Sequence, residues 1–558
     1  MGETASTITI TYDKNQTITV EKGLRLEQIL EQIPARPRTA LAATVNGALQ
    51  ELDYPVYIDS HIQWIDYNCN LGWRIYRRSM IMLLRLACQD LFPERQLWVS
   101  HSLAEGLFCR FQGGPDATVE ETAALEKAIQ SYIQQDLPVL RTQVSRMDAV
   151  HYLRENGNGA QADLLSRRKD EYLSLYCIKN QREYYFGRMV THTGLLGFFR
   201  LEPYEGGFVL RLPAREYLGC QPHNQVVAKQ LHTTMASYDQ WSALLGIRTI
   251  SDLNRAVTSG NDRLIELMLV AETLYERQIA HATDYILKDF PAARLVLLAG
   301  PSSSGKTTST ERLGVQFRTM GVEPIRISMD DYFLDREKTP LNEQGVKDYE
   351  NLAALDLDLF HTNMRDLLAG REVALPRYDF KTGKSIHNDR LLQLHTDQVL
   401  LVEGIHALNP QISQGIPAQR IRKFFISALT QINLDAYTPF SSSDNRLVRR
   451  MARDMQFRGI SPAGTLDRWD DVRRGEHRNI FPYQEEADLF INSSLIYEMP
   501  ILRPLVETAL EAITPDQNCY LEARRILRLV RYFESAPADI VPRTSILQEF
   551  IGNSLFHV

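Results

Sequence analysis

At 558 residues the chain is too long for one hydrophobic core, so two to four domains are expected. A formal net charge of −7 argues against a dominant nucleic-acid or membrane-surface role. Six scattered cysteines without a C-x-x-C pair argue against a disulfide framework or zinc knuckle. No stretch reaches the roughly 18–20 apolar residues of a membrane span and no export signal opens the chain, so a cytoplasmic protein is expected.

Ile8, Ile10 and Tyr12 alternate with threonines, a turn follows over 13–16, and 17–20 alternate again, which predicts a β-hairpin. Leu26, Ile29, Leu30 and Ile33 then keep helical spacing, and Val45-Asn46-Gly47 starts a turn between two short strands. Residues 1–67 therefore read as a small α+β unit. With T-V-N-G-A-L-Q-E-L-D-Y-P near its middle, the unit resembles the TGS domain that opens threonyl-tRNA synthetases, a β-grasp-like fold.

Residues 68–215 carry R-R-S-M-I-M-L-L-R-L-A-C-Q-D-L-F-P-E, E-G-L-F-C-R-F and L-E-K-A-I-Q-S-Y-I-Q-Q-D-L-P, and resemble the α+β editing-type domain of the same synthetases. The chemistry does not carry over. The H-S-x-x-H helix of that family is here Arg78-Ser79-Met80-Ile81-Met82, and Phe186 and Val190 stand where its later cysteine and histidine would be. His101, His192 and the Cys220-Gln221-Pro222-His223 cluster do not complete a metal-binding tetrad. Asn156-Gly157-Asn158-Gly159 reads as a loop. Residues 216–290 look helical, with Leu264, Leu267, Met268 and Ala271 on one face and Tyr275, Ile279 and Tyr285 further on.

The stretch 293–308, A-R-L-V-L-L-A-G-P-S-S-S-G-K-T-T, contains the full G-x-x-x-x-G-K-[ST] pattern directly after an apolar strand. Such a loop turns backbone N–H groups inward at a helix N-terminus and so stabilises phosphate charge. Gly300 and Gly305 let the backbone approach, Lys306 reaches the terminal phosphates, and the Thr307 hydroxyl suits a magnesium ion. Two further strands are expected to end in acids: I-R-I-S-M-D-D-Y-F in Asp330 and Asp331, and 399–402 in Glu403. A carboxylate there can hold magnesium or act as general base toward an acceptor hydroxyl; Asp is also a common helix cap. Arg446, Arg449, Arg450 and Arg453 share one helical face with only Asp454 near in sequence to offset them, which suits a phosphate. The polar segment from Arg458-Gly459 to Pro482 reads as a lid able to close over phosphates.

In this order the motifs of 291–558 resemble the uridine kinase and phosphoribulokinase family, closest to uridine kinase. The resemblance implies a mostly parallel sheet flanked by helices, ATP as donor and Mg²⁺ as cofactor. S-M-D-D-Y-F makes Asp330 the catalytic carboxylate together with Lys306 and Arg453. The resemblance places ATP on Gly300, Ser302, Ser303, Ser304, Gly305, Lys306, Thr307, Thr308, Arg453 and Arg458, and magnesium on Thr307, Asp330 and Glu403. S-M-D-D-Y-F, D-Y-E-N-L, L-P-R-Y-D-F and the arginine helix supply the acceptor side through Asp331, Tyr332, Glu350, Tyr378, Asp379 and Arg450. The family histidine that contacts the pyrimidine aligns with Gly383, the last lid arginine aligns with Ile460, and about fifteen extra residues precede the arginine helix.

The whole reads as a multidomain α/β and α+β chain: 1–67 TGS-like, 68–215 editing-like with its reactive residues lost, 216–290 a helical connector, and 291–558 a P-loop kinase. The expected activity is ATP- and Mg²⁺-dependent phosphoryl transfer to a hydroxyl of a uridine- or cytidine-like nucleoside. The alternatives are a kinase of another hydroxyl metabolite and a nucleotide-binding, RNA-associated regulatory protein, although no N-K-x-D guanine-reading segment follows the loop. A homo-oligomer and an RNA partner for the N-terminal domains are further expectations, and a membrane partner is not one.

Overall fold

The structure, a computed structural model, describes residues 6–13, 15–34, 40–103, 106–213, 228–341, 345, 347–430 and 432–556. Two compact units divide the chain: Met1–Val227 with Thr249–Ser251 and Asn433–Pro439, and a second unit formed by the remainder.

In the first unit, β1 (Thr7–Tyr12) and β2 (Gln16–Glu21) form an antiparallel hairpin. The helix α1 (Leu26–Glu31) follows, then β3 (Ala40–Val45), β4 (Ala48–Gln50) and β5 (Ser60–Asp66), in sheet order β2-β1-β5-β3-β4 with β1 parallel to β5. Ile8, Ile10 and Val20 alternate inward to meet Leu26 and Ile29, because a strand sends every second side chain to one face. Asn46 and Gly47 both take positive φ, 50° and 81°, as a two-residue turn between twisted strands requires.

A 22-residue helix, α2 (Asn70–Leu91), packs against the sheet β11-β12-β7-β6, formed by β6 (Gln96–Leu103), β7 (Gly106–Gln112), β11 (Arg200–Tyr204) and β12 (Gly207–Arg211). Between these strands lie α3 (Val119–Gln134), whose Thr118 and Glu121 form a capping box, and the sheet of β8 (Leu140–Ser145), β9 (Tyr172–Ile178) and β10 (Gln181–Tyr184) with α4 (Arg146–Glu155) and α5 (Gly159–Ser166). The 156–159 loop is a short link between α4 and α5, with Asn158 as N-cap. Packing occupies the positions of the missing editing residues: Ser79 Oγ accepts the Val190 N–H at 3.1 Å, and Met82 and Val190 lie in the core. His101 sits beside Ser100 and His192 pairs with Asp136, while the Cys220–His223 cluster lies outside the described residues.

The segment Asn433–Pro439 adds a hairpin, β19 (Asn433–Asp435) and β20 (Thr438–Pro439), to this unit. Asp435 is buried and accepts hydrogen bonds from Gln161 Nε2 at 2.6 Å and Tyr437 N at 2.9 Å. The Arg85 guanidinium, paired with Glu183, stacks 4.3 Å from the Tyr437 ring centre. The extra residues before the arginine helix therefore include a polar plug of the N-terminal unit.

Three helices lead into the second unit: α6 (Lys229–Leu244), α7 (Ile250–Thr258), whose first turn falls in the first unit, and α8 (Asn261–Leu287). On α8, Leu264, Leu267, Met268, Ala271, Tyr275 and Ile279 are buried. The five-stranded sheet has the order β14-β17-β13-β18-β21, and every neighbouring pair in it is parallel. Its strands are β13 (Leu295–Ala299), β14 (Glu323–Ser328), β17 (Gln398–Glu403), β18 (Ile421–Ser427) and β21 (Leu489–Asn492). All five residues of β13 are buried, as a central parallel strand covered on both faces demands. Around the sheet lie α9 (Lys306–Thr319), α10 (Leu357–Leu368), the hairpin β15 (Val373–Asp379) and β16 (Lys384–Leu392), and α11 (Ser442–Arg453). They are completed by α12 (Pro462–Asn479), α13 (Glu498–Glu511), α14 (Tyr520–Val530) and α15 (Gln548–Ile551).

The segment expected to act as a polar lid is largely helical. It is an 18-residue helix, α12, capped by Ser461 and anchored through buried Leu466, Trp469, Val472 and Glu476; four inward positions at helical spacing sit among its charges. Among the described residues no helix is long and apolar enough to cross a membrane.

Candidate active site

The loop after β13 is shaped by what a side chain would strike. A Cβ at Gly300 would lie 2.0 Å from the Ile426 carbonyl oxygen, and one at Gly305, whose φ is 80°, would lie 2.3 Å from Ile546 Cδ1. Ser303 takes a φ of 58°, the inward-turned backbone of an anion cradle. The hydroxyls of Ser303 and Ser304 are buried without a hydrogen-bond partner among the described residues. Orphaned donors cost free energy unless a ligand satisfies them. Lys306 Nζ donates to the Gly300 and Pro301 carbonyls at 2.9 and 3.2 Å, holding the ammonium across the loop. Burial lowers its pKa against the opposing charges of Glu403 and Asp330.

Strand register brings the acids to this loop. Leu298 of β13 and Ser328 of β14 both lie opposite Glu403 at the end of β17. Asp330 follows in a 3₁₀ turn, with Ser328 Oγ accepting its N–H at 3.3 Å. Burial raises the Asp330 pKa, Lys306 opposes the rise and Asp331 adds to it. Glu403 is pushed up to about 7 by burial, with Lys306 opposing and Asp330 reinforcing. Two acids that resist ionisation beside one ammonium form a site short of positive charge, which a divalent cation supplies. Thr307, Asp330 and Glu403 are thus a hard-oxygen donor set that fits Mg²⁺.

The arginine helix is not an unbalanced face. Arg446 makes a buried pair with Glu476 of α12, with one Nη2–Oε2 contact of 2.8 Å, and Arg449 pairs with Glu498 of α13. Arg450 donates to Ser302 Oγ at 2.8 Å and lies 3.3 Å from Asp454, which also takes Arg458. Arg453 faces Glu549 of α15 at 3.6 Å, and Glu549 accepts from Thr308 Oγ1 at 2.8 Å. Burial, followed by the charge of Arg458, lowers the Arg453 pKa to about 10. The loop is also fixed from this side: Arg446 donates to Ser302 O, and Glu476 accepts the Ser302 N–H at 3.2 Å.

Among the residues expected to meet an acceptor, Glu350 is pushed to about 7 by burial and by the Glu476 charge, against Arg450 and Lys306. Asp331 Oδ1 accepts the Tyr378 N–H at 3.4 Å. Tyr349, Tyr378, Phe380, Arg336 and Lys347 line a cavity of about 440 Å³. Two expected acceptor residues do not face it. Tyr332 is 1% exposed, packed on Phe360 and hydrogen-bonded to Asn363, because the 3₁₀ turn swings it into the core. Asp379 caps the 379–383 turn, accepting from Lys381 N, Thr382 N and Thr382 Oγ1, contacts that lower its pKa.

The profile of the "Phosphoribulokinase / Uridine kinase family" matches residues 295–496. A uridine kinase of Brevibacillus brevis is 30% identical over 200 residues, covering 35% of this chain and 83% of that protein. The chain belongs to the phosphoribulokinase/uridine kinase family. Membership makes it a phosphotransferase and implies ATP as phosphoryl donor, with Mg²⁺ the usual companion. A second similarity covers the other end of the chain: a threonine–tRNA ligase of Syntrophomonas wolfei is 27% identical over 157 residues, 28% of this chain and 25% of the ligase. The chain thus spans only a quarter of that ligase's length. Among solved structures, a possible uridine kinase from Bacillus stearothermophilus covers 39% of this chain and 98% of its own, at 20% identity and a TM-score of 0.25.

Motif reading missed Glu476, Glu498 and Glu549, each 30 or more residues from the arginine it neutralises. Glu549 lies beyond the family profile, which ends at 496.

Proposed function

We propose that this family member transfers the γ-phosphoryl group of Mg-ATP to a hydroxyl of a small acceptor, with a uridine- or cytidine-like nucleoside as the first candidate. The observation that carries the reading is convergence: register sets the phosphate loop, Asp330 and Glu403 at the ends of three adjacent parallel strands. In this reading Gly300 to Thr308 cradle the phosphates, and Lys306, Arg453 and Arg458 offset charge on the transferring group. Asp330 takes the proton of the acceptor hydroxyl as its oxygen bonds to phosphorus and ADP departs. Thr307, Asp330 and Glu403 would hold Mg²⁺, which supplies charge neutralisation between the phosphates. Glu350, Arg450 and Tyr378 orient the acceptor.

We also propose the four-part division at 67, 215 and 290, with a catalytically silent synthetase-like portion preceding the kinase. A second reading, another hydroxyl metabolite as acceptor, is favoured by Gly383, which stands where the resemblance expects a base-contacting histidine and where a Cβ would meet Arg336 Nε at 2.5 Å. Labelled phosphate transfer from ATP across nucleosides and sugar acids tests both. Lys306→Ala and Asp330→Asn are each expected to lower turnover by at least about 10²–10³-fold while thermal unfolding is retained. Transfer at the wild-type rate by either variant would refute the assignment.

A further inference from the structure

The cavity beside the Asp330–Asp331 turn has a composition that narrows the acceptor. Two of its five lining residues are cations, and the other three are aromatic. Arg336 is held at its base: its backbone N–H donates to Gly383 O at 2.8 Å, its Nε to Tyr349 Oη at 3.3 Å and one Nη2 proton to Phe380 O at 2.8 Å. Lys347 Nζ donates to the Glu337 and Thr339 carbonyls, each at 2.9 Å. These partners are neutral.

The acids nearest in sequence are engaged elsewhere. Asp335 and Glu337, on either side of Arg336, both lie within ion-pair reach of Lys384, at 3.8 and 3.4 Å. Among the described residues neither Arg336 nor Lys347 has a carboxylate partner, and donors on both remain uncommitted. Tyr378 is 4% exposed, and its hydroxyl lies beside Tyr349 and Arg336. Phe380 and Phe333 stand 5.0 and 5.5 Å from its ring centre. Gly383 belongs to the same construction: with a φ of 71°, its absent Cβ would fall 2.5 Å from Arg336 Nε, so any side chain there would displace the guanidinium.

We propose that this pocket receives an acceptor bearing an acid group, a phosphate or a carboxylate, seated between Arg336 and Lys347 with its body against Tyr349, Tyr378 and Phe380. A guanidinium forks onto paired acid oxygens, an ammonium adds a point charge, and the Tyr378 hydroxyl beside them completes the contacts. The inference rests on the reading of this site as the kinase acceptor site, and it favours acidic metabolites over neutral nucleosides.

Calorimetric titration of the full-length chain without nucleotide tests it, using D-ribose 5-phosphate against D-ribose and D-glycerate against glycerol, with uridine alongside. One acid-bearing compound is expected to bind at least about tenfold more tightly than its uncharged counterpart and than uridine. Arg336→Gln and Lys347→Gln are each expected to remove most of that advantage. The winning pair separates phosphate from carboxylate. Equal or undetectable binding within both pairs, tighter binding of uridine, or variants that bind the acid as the wild type does would overturn the proposal. Binding is read without turnover, so failure here leaves phosphoryl transfer standing, and loss of transfer leaves the binding result intact.

Discussion

Gly300 shows how strictly single positions are set. The atom its Cβ would meet is a backbone carbonyl of a central strand, which cannot move aside. Gly300→Ala is expected to abolish nucleotide binding in a fluorescent-ATP titration, with loss of folding stability. The loop motif made this residue legible from sequence, because the spacing itself encodes the close approach. Tyr332 and Asp379 were not legible in the same way: a motif states which residue follows a strand but not which way the turn directs its side chain. Glu350 supplies a pH signature. Its folded pKa, about 7 against an ordinary 4.5, means that its contribution is fully present below pH 4.5 and is lost as pH rises toward 7, because the unfolded chain ionises first. Glu350→Gln lacks this loss, so its unfolding free energy from urea titration should gain on the wild type between pH 4.5 and 7, by on the order of 1–3 kcal/mol.

Helix α11 carries its arginines on one face, yet its charge balance comes from α12, α13 and α15. Periodicity exposed the face; contacts 30 to 96 positions away in the chain leave no local trace. Since Arg446 and Glu476 are both almost fully buried, removing only one partner leaves an uncompensated charge. Glu476→Ala is therefore expected to cost about 3–5 kcal/mol in equilibrium urea unfolding. The double change Arg446→Met with Glu476→Leu should recover much of that stability while loosening Ser302. In the same helix pairing, the charges of α12 were legible in the sequence, whereas the docking of Leu466, Trp469 and Val472 among them was not.

At the scale of the molecule, the two buried parallel strands at the heart of the sheet were legible as apolar runs at 295–299 and 399–402, which admit no solvent-exposed face. The first unit is less transparent, since it draws on residues far along the chain. Asp435 is buried, and among the described residues its side-chain hydrogen-bond donors are Gln161 and Thr438. Gln161→Leu is expected to destabilise the first unit by about 1–3 kcal/mol, read as a lowered first transition in calorimetry, because it strands a desolvated carboxyl.

That hairpin also sets a timetable for synthesis. The ribosome releases Val227 roughly 200 residues before Pro439, on the order of 10–40 s at ordinary elongation rates of ~5–20 residues per second. Throughout that interval the nascent first unit carries the Arg85–Glu183 pair without the Tyr437 ring over it. The amino-terminal unit cannot finish folding in the order in which it is translated, and must wait for a segment encoded within the kinase.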